Sequence, residues 1–198
     1  MTGRDNRDQA EPLDRNRIVE LLAMLDRRLR DLDLSASLYV VGGAAVAVTV
    51  ADRRVTRDVD VAHLDPAVSA EAQALASVEG LPANWLNAAA APWIPAAPTP
   101  ADAAGGPGLT IRYAPPEHLL AMKMVALRQQ DAPDIAALAA RLGLDRFEQF
   151  AAVLRSVYAG EGVLQQILGV PDGQLDSEVD AIARRVSDYI ARAAAADE

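Results

Sequence analysis

The chain has 198 residues, 51% of them hydrophobic, a formal net charge of −9 and no cysteine. That length fits one domain, or one domain with a small helical appendage. The missing cysteines exclude disulfides and thiolate metal sites, and the acidic balance argues against a broad nucleic-acid surface, which needs phosphate-neutralising Lys and Arg. No apolar run reaches the length of a membrane span, and the opening MTGRDNRDQAEP is charged, unlike a signal peptide. A soluble, cytoplasmic protein with no membrane partner is therefore expected.

In chain order, residues 1–12 are polar and are expected to form a flexible N-terminus. Ile18, Leu21, Leu22, Leu25, Leu29 and Leu32 recur at helical spacing and predict a helix over 13–32. Leu38–Val41 reads as a buried strand, 44–51 as a short buried helix and 57–62 as a strand. Asp65-Pro66, a cap followed by a first-turn proline, starts a helix over 66–78. Residues 88–108 read as a long loop, functional or mobile, with a short strand near Trp93 and Ile94. Leu109–Tyr113 is a third strand. Pro115-Pro116 opens a helix over 117–129. Further helices are predicted over 133–142, 145–159, 162–168 and 175–194. Strand–helix alternation followed by helices alone makes the class α+β, with an α/β core over 13–114 and a helical part over 115–198.

Two short segments carry chemistry. The strand Leu38-Tyr39-Val40-Val41 runs into Gly42-Gly43, which opens a helix; such a turn lets backbone N–H groups approach a phosphate. The strand over 57–62 carries Asp58 and Asp60 one residue apart, hence on one face. Paired carboxylates suit a hard divalent cation such as Mg2+ or Mn2+. Thr56 and Arg54 share their phase, and Arg54 can meet a phosphate bidentately. Each group also has a plain structural explanation: a tight turn for the glycines, solvated acids on a strand face, a surface ion pair for Arg54.

The basic residues comprise eighteen Arg and one Lys, Lys123, which marks that position as a candidate. Arg128 follows on the same predicted helix, five residues on and therefore nearly opposite. Asp131 and Asp134 either serve Lys123 or cap the helix beginning near Pro133. His63 and His118 make no recognisable zinc site. Trp85 and Trp93 flank the long loop, where packing is favoured over stacking on a base.

Three blocks in order, Val41-Gly42-Gly43-Ala44, Arg54-x-Thr56-x-Asp58-Val59-Asp60-Val61, and Leu119 to Arg128 continuing through Asp131 and Asp134, resemble the nucleotidyltransferase fold of the DNA polymerase β superfamily. More narrowly, the chain is similar to the minimal nucleotidyltransferases of the AbiEii/MenT and DUF6036 types, several of which are toxins of toxin–antitoxin pairs. The resemblance covers about residues 38–140. It implies a small mixed sheet of nucleotidyltransferase type, with Asp58 and Asp60 as metal ligands and Gly42, Gly43, Arg54, Thr56, Lys123 and Arg128 around the NTP. Lys123 would hold a triphosphate, and Asp134 (or Asp131) would bind metal or position that lysine. It also implies transfer of a nucleoside monophosphate to an RNA such as a tRNA 3′ end, a protein or a small molecule, and an antitoxin protein as partner. One departure favours an alternative, a catalytically weak or inactive module that binds a nucleotide or partner: many relatives carry a third carboxylate on a later strand, and Leu109-Thr110-Ile111-Arg112-Tyr113 has no acid.

Overall fold

The computed structural model describes residues 11–51, 54–95, 106–160, 162–171 and 173–196. It is α+β, and the chain divides into two compact units, one of residues 1–91 and 97–114, the other of residues 92–96 and 115–198. The expected flexible N-terminus lies outside the described residues except at its end, as does the middle of the long loop. Among the described residues no helix is long and apolar enough to cross a membrane.

The first unit begins with α1 (Arg15–Asp31), capped by Asp14, whose carboxylate accepts the Arg17 N–H at 2.8 Å. Its apolar stripe, Ile18, Leu21, Leu22, Leu25 and Leu29, is buried. Then come β1 (Ser35–Val41), α2 (Gly42–Thr49), β2 (Val59–Val61), α3 (Pro66–Glu79), β3 (Leu86–Asn87) and β4 (Gly108–Tyr113). The four strands form one mixed sheet in the order β3-β2-β1-β4. β1 pairs antiparallel with β2 and parallel with β4, and β2 pairs parallel with β3.

Register sorts the sheet into two faces, because directly paired residues share a side. Leu38, Val40, Val59, Val61 and Leu86 are buried on one face, with Leu109, Ile111 and Tyr113 half-buried beside them. The other face carries Asn87 of β3, Asp60 of β2, Val41 and Tyr39 of β1, and Arg112 of β4, through the pairs Asp60↔Asn87, Val41↔Asp60 and Tyr39↔Arg112. One face is therefore apolar core; the other is polar except at Val41, which is fully buried.

Two expectations about the strands need correction here. The acid-bearing strand covers only Val59–Val61; Arg57 and Asp58 form a bend, because Thr56 pairs instead with Leu13 through backbone bonds of 2.6 and 2.9 Å. The strand expected near Trp93 and Ile94 is replaced by a 3-10 turn over Ala91–Trp93, where Pro92 has no N–H to give a ladder. A strand forms earlier, at Leu86–Asn87, next to Trp85, which is fully buried and donates its indole N–H to the Ala72 carbonyl of α3 at 2.9 Å. Buried and committed in this way, Trp85 has no face to offer a base.

The second unit holds α4 (Pro116–Ala126), α5 (Ala132–Leu142), α6 (Phe147–Val157), α7 (Val163–Leu168) and α8 (Leu175–Ala196). Phe150 and Leu154 of α6 and Val179, Ile182 and Val186 of α8 are buried. Arg184 stacks over the Phe147 ring at 4.0 Å, and the Tyr158 hydroxyl, its pKa pushed up by burial, donates to the Trp93 carbonyl at 2.8 Å. The helix expected over 117–129 stops at Ala126. Leu127 turns left-handed (φ 41°), and a separate 3-10 turn follows over Gln129–Asp131.

Candidate functional site

In the first unit the predicted glycines, threonine, arginine and acids converge. β1 ends at Val41 and α2 starts at Gly42, whose φ of +63° is one that side-chain-bearing residues rarely adopt. The space a Cβ would occupy at Gly42 is taken by Asp60, whose Oδ2 would lie 2.9 Å from it. At Gly43 a Cβ would lie 2.8 Å from Thr56 Oγ1 and 3.5 Å from Arg54 Nη2. The glycine pair thus lets the segment over 54–60 lay its side chains directly against the first turn of α2. The Leu13–Thr56 backbone pairing fixes that segment, and Leu13 is itself buried. Arg54 also donates to its neighbour's carbonyl at Val55.

Asp58 stands on the bend that leads into β2. Asn87 donates from Nδ2 to Asp58 Oδ2 at 3.4 Å, and Asn87 is the register partner of Asp60. Both carboxylates therefore lie beside Asn87 on the same face of the sheet, Asp60 by register and Asp58 through this contact. Asp58 and Asp60 are each half-buried. Sequence reading did not single out Asn87, and no pattern around it marks it; its place follows from strand register. Tyr39 lies on the same face, its hydroxyl pKa raised by burial, so it stays a neutral hydrogen-bonding group at neutral pH.

Among the described residues no group of three or more His, Cys, Asp or Glu gathers as a metal cage. Mg2+ does not require one: it is held through one or two carboxylates, with water and substrate phosphates completing the shell. The Asp58–Asp60 pair, set beside the Gly42-Gly43 turn that Asp60 and Thr56 pack against, suits such a cation.

In the second unit Lys123 is buried, at 7% exposure, with Asp131 at 7% and Asp134 at 2%. Its Nζ lies 2.8 Å from Asp131 Oδ1 and 2.7 Å from Asp134 Oδ2. Both acids thus meet the lysine. The capping explanation for Asp131 fails: it occupies the N-cap position of α5 but makes no side-chain cap bond, because its carboxylate turns to Lys123. The ammonium ties the end of α4 to the start of α5 across the left-handed Leu127. Arg128 is not part of this cluster; it is exposed, beyond the end of α4. His63 is exposed, and His118 is half-buried with its imidazole pKa held below the usual range by burial.

Comparison with known protein families, with curated proteins and with solved structures returns no match. The functional reading rests on these residues and their geometry.

Proposed function

We propose that the chain is a metal-dependent nucleotidyltransferase whose first unit holds the reacting phosphates. The observation that carries this reading is the seat of Asp60 and Thr56 on the Gly42-Gly43 turn, with Asp58 on the same face. Backbone N–H groups at the start of α2 bind phosphate oxygens, aided by the helix dipole. Asp58 and Asp60 hold the cation, Mg2+ or Mn2+, which when bound neutralises charge developing on the phosphates. Arg54 supplies a guanidinium beside the same turn. Positioning and electrostatics do most of the work, with no covalent intermediate required. The acceptor is a hydroxyl of an RNA, a protein or a small molecule, and an antitoxin-like protein is the partner that the resemblance suggests. Lys123, fixed by two acids, first serves the junction of α4 and α5.

The test is incubation of the protein with each α-labelled NTP, Mg2+ or Mn2+ and RNA and protein extracts, beside Asp58→Ala and Asp60→Ala. Label transferred by wild type and lost in both variants, with melting curves retained, supports the reading. Equal transfer by either variant removes that carboxylate from the site.

The absence of an acid from β4 favours a second reading, a module that binds nucleotide without turnover. Metal-dependent NTP binding by calorimetry without transfer to either extract distinguishes it.

A further inference from the structure

The polar face of the sheet extends past the acids. Tyr39 is two residues from Val41 on β1, and Val41 pairs with Asp60; Tyr39 in turn pairs with Arg112. Thr110 and Ser37 are the next pair on the same face. Arg112 and Thr110 are exposed, while Tyr39 and Ser37 are half-buried. Arg112 makes no ion pair with any of the described residues. β2 and β4 are separated by β1 alone, so at about 4.8 Å per strand step Arg112 stands roughly 10 Å across the sheet from the strand of Asp60. One end of the face is thus acidic and the other carries Arg112 in register with hydroxyl-bearing residues, with the buried Val41 between the two ends. A guanidinium there repels a cation and forks onto an anion.

We propose that Arg112, with the hydroxyls of Tyr39 and Thr110, is a phosphate-binding subsite on the sheet face, beside the Asp58–Asp60 site and distinct from it. It takes a phosphate group that the cation does not hold. Resting on the nucleotide-site reading above, it deepens that reading: the substrate spans the face, cation-bound phosphates at the Asp60 end and a further phosphate at the Arg112 end. That phosphate belongs either to the acceptor, as a phosphodiester, or to the nucleotide's own triphosphate tail.

Two probes separate these sources: ATP with Mn2+ by calorimetry, and a fluorescent single-stranded RNA pentamer by anisotropy over a range of salt. Each is run with wild type, Arg112→Gln, Arg112→Lys and Asp60→Asn. If the acceptor supplies the phosphate, Arg112→Gln weakens pentamer binding about tenfold, as expected for one charge-assisted hydrogen bond. It also lowers the slope of log K against log[salt] by about 0.7, as expected when one phosphate of a single strand is no longer neutralised. ATP–Mn2+ binding stays unchanged, and Arg112→Lys restores the slope but only part of the affinity. Loss confined to ATP–Mn2+ supports the subsite and assigns it to the triphosphate. Wild-type binding of both probes by Arg112→Gln overturns the proposal. Asp60→Asn reports separately on the metal reading: undiminished ATP–Mn2+ binding there sinks that reading, while a pentamer defect in Arg112→Gln would still uphold the subsite.

Discussion

Gly42→Ala is the sharpest probe of how the glycine turn and the acids depend on each other. Gly42 sits at φ +63°, and left-handed backbone costs an L-residue roughly 1–2 kcal/mol. The added Cβ would lie 2.9 Å from Asp60 Oδ2 and 3.5 Å from Asp60 Cβ, so the carboxylate must move. The smaller entropy of the unfolded alanine chain returns about 0.4–1 kcal/mol. A net loss of about 1–3 kcal/mol follows once the displaced carboxylate is included, and at this chain length each kcal/mol lowers Tm by about 2–4 °C. Trp85 is buried in the same unit, so its fluorescence in a Trp93→Phe background reports the melting. Asp60→Gly removes the obstructing atoms. The double variant Gly42→Ala/Asp60→Gly should therefore lose only the backbone part, leaving a coupling of about 1 kcal/mol between the positions. Additivity within about 0.5 kcal/mol, the behaviour of independent sites, would refute the packing of Asp60 on Gly42.

Lys123→Met strands two buried carboxylates and should cost about 3–5 kcal/mol in denaturant titration, with Asp131→Asn and Asp134→Asn together restoring most of it. Trp85→Phe deletes the indole donor to Ala72 and leaves a void beside β3; a loss of about 1–3 kcal/mol is expected by thermal melting, and no loss would show that the hydrogen bond and the fit around the ring contribute little. His118 has its pKa lowered from 6.5, chiefly by burial and against a smaller opposing pull from Glu117. Just below that value the unfolded chain binds more protons than the folded one, so stability falls as pH falls through the window. His118→Gln should flatten that limb of a plot of denaturation midpoint against pH, and an unchanged limb would show that other groups cause it.

Where local rules suffice, the sequence was legible. Asp65-Pro66 predicts a helix start, and Asp65 accepts the Ala67 N–H at 2.8 Å at the head of α3. The leucine stripe of α1 is the face it buries. The Gly-Gly turn and the Asp-x-Asp segment could be read as a pair because each signals by itself. What escaped is set by long-range partners. β3 is two residues long, too short for a period, and forms where Trp85 anchors on α3. The shortening of β2 depends on Leu13, more than forty residues upstream of Thr56. Helical spacing alone does not say that α4 breaks at Leu127, and so does not decide that both Asp131 and Asp134 gather on Lys123. Arg112 could be placed beside Tyr39 only once the β1–β4 register was known.

The two carboxylates are not equivalent, and the difference is testable. Asp60 lies within the ladder, between β1 and β3, and its oxygen presses on the Gly42 position. Asp58 lies on a bend outside the ladder, and the bond it accepts from Asn87 is long, at 3.4 Å. A bond of that length orients weakly, worth less than about 1 kcal/mol. Asn87→Ala should therefore weaken Mn2+ binding in the presence of ATP by less than about fivefold, whereas Asp60→Asn, which removes a ligand charge from a fixed position, should weaken it far more. Asp58→Asn should fall between them, and combining it with Asn87→Ala should add little to Mn2+ binding, since the other bonds of the Asn87 side chain, to the Asn84 carbonyl and from the Ala89 N–H, hold its own loop. If Asn87→Ala instead costs as much as Asp60→Asn, the amide is itself a ligand or a nucleotide contact. The division of labour would then be redrawn, with β3 joining β2 as a wall of the site.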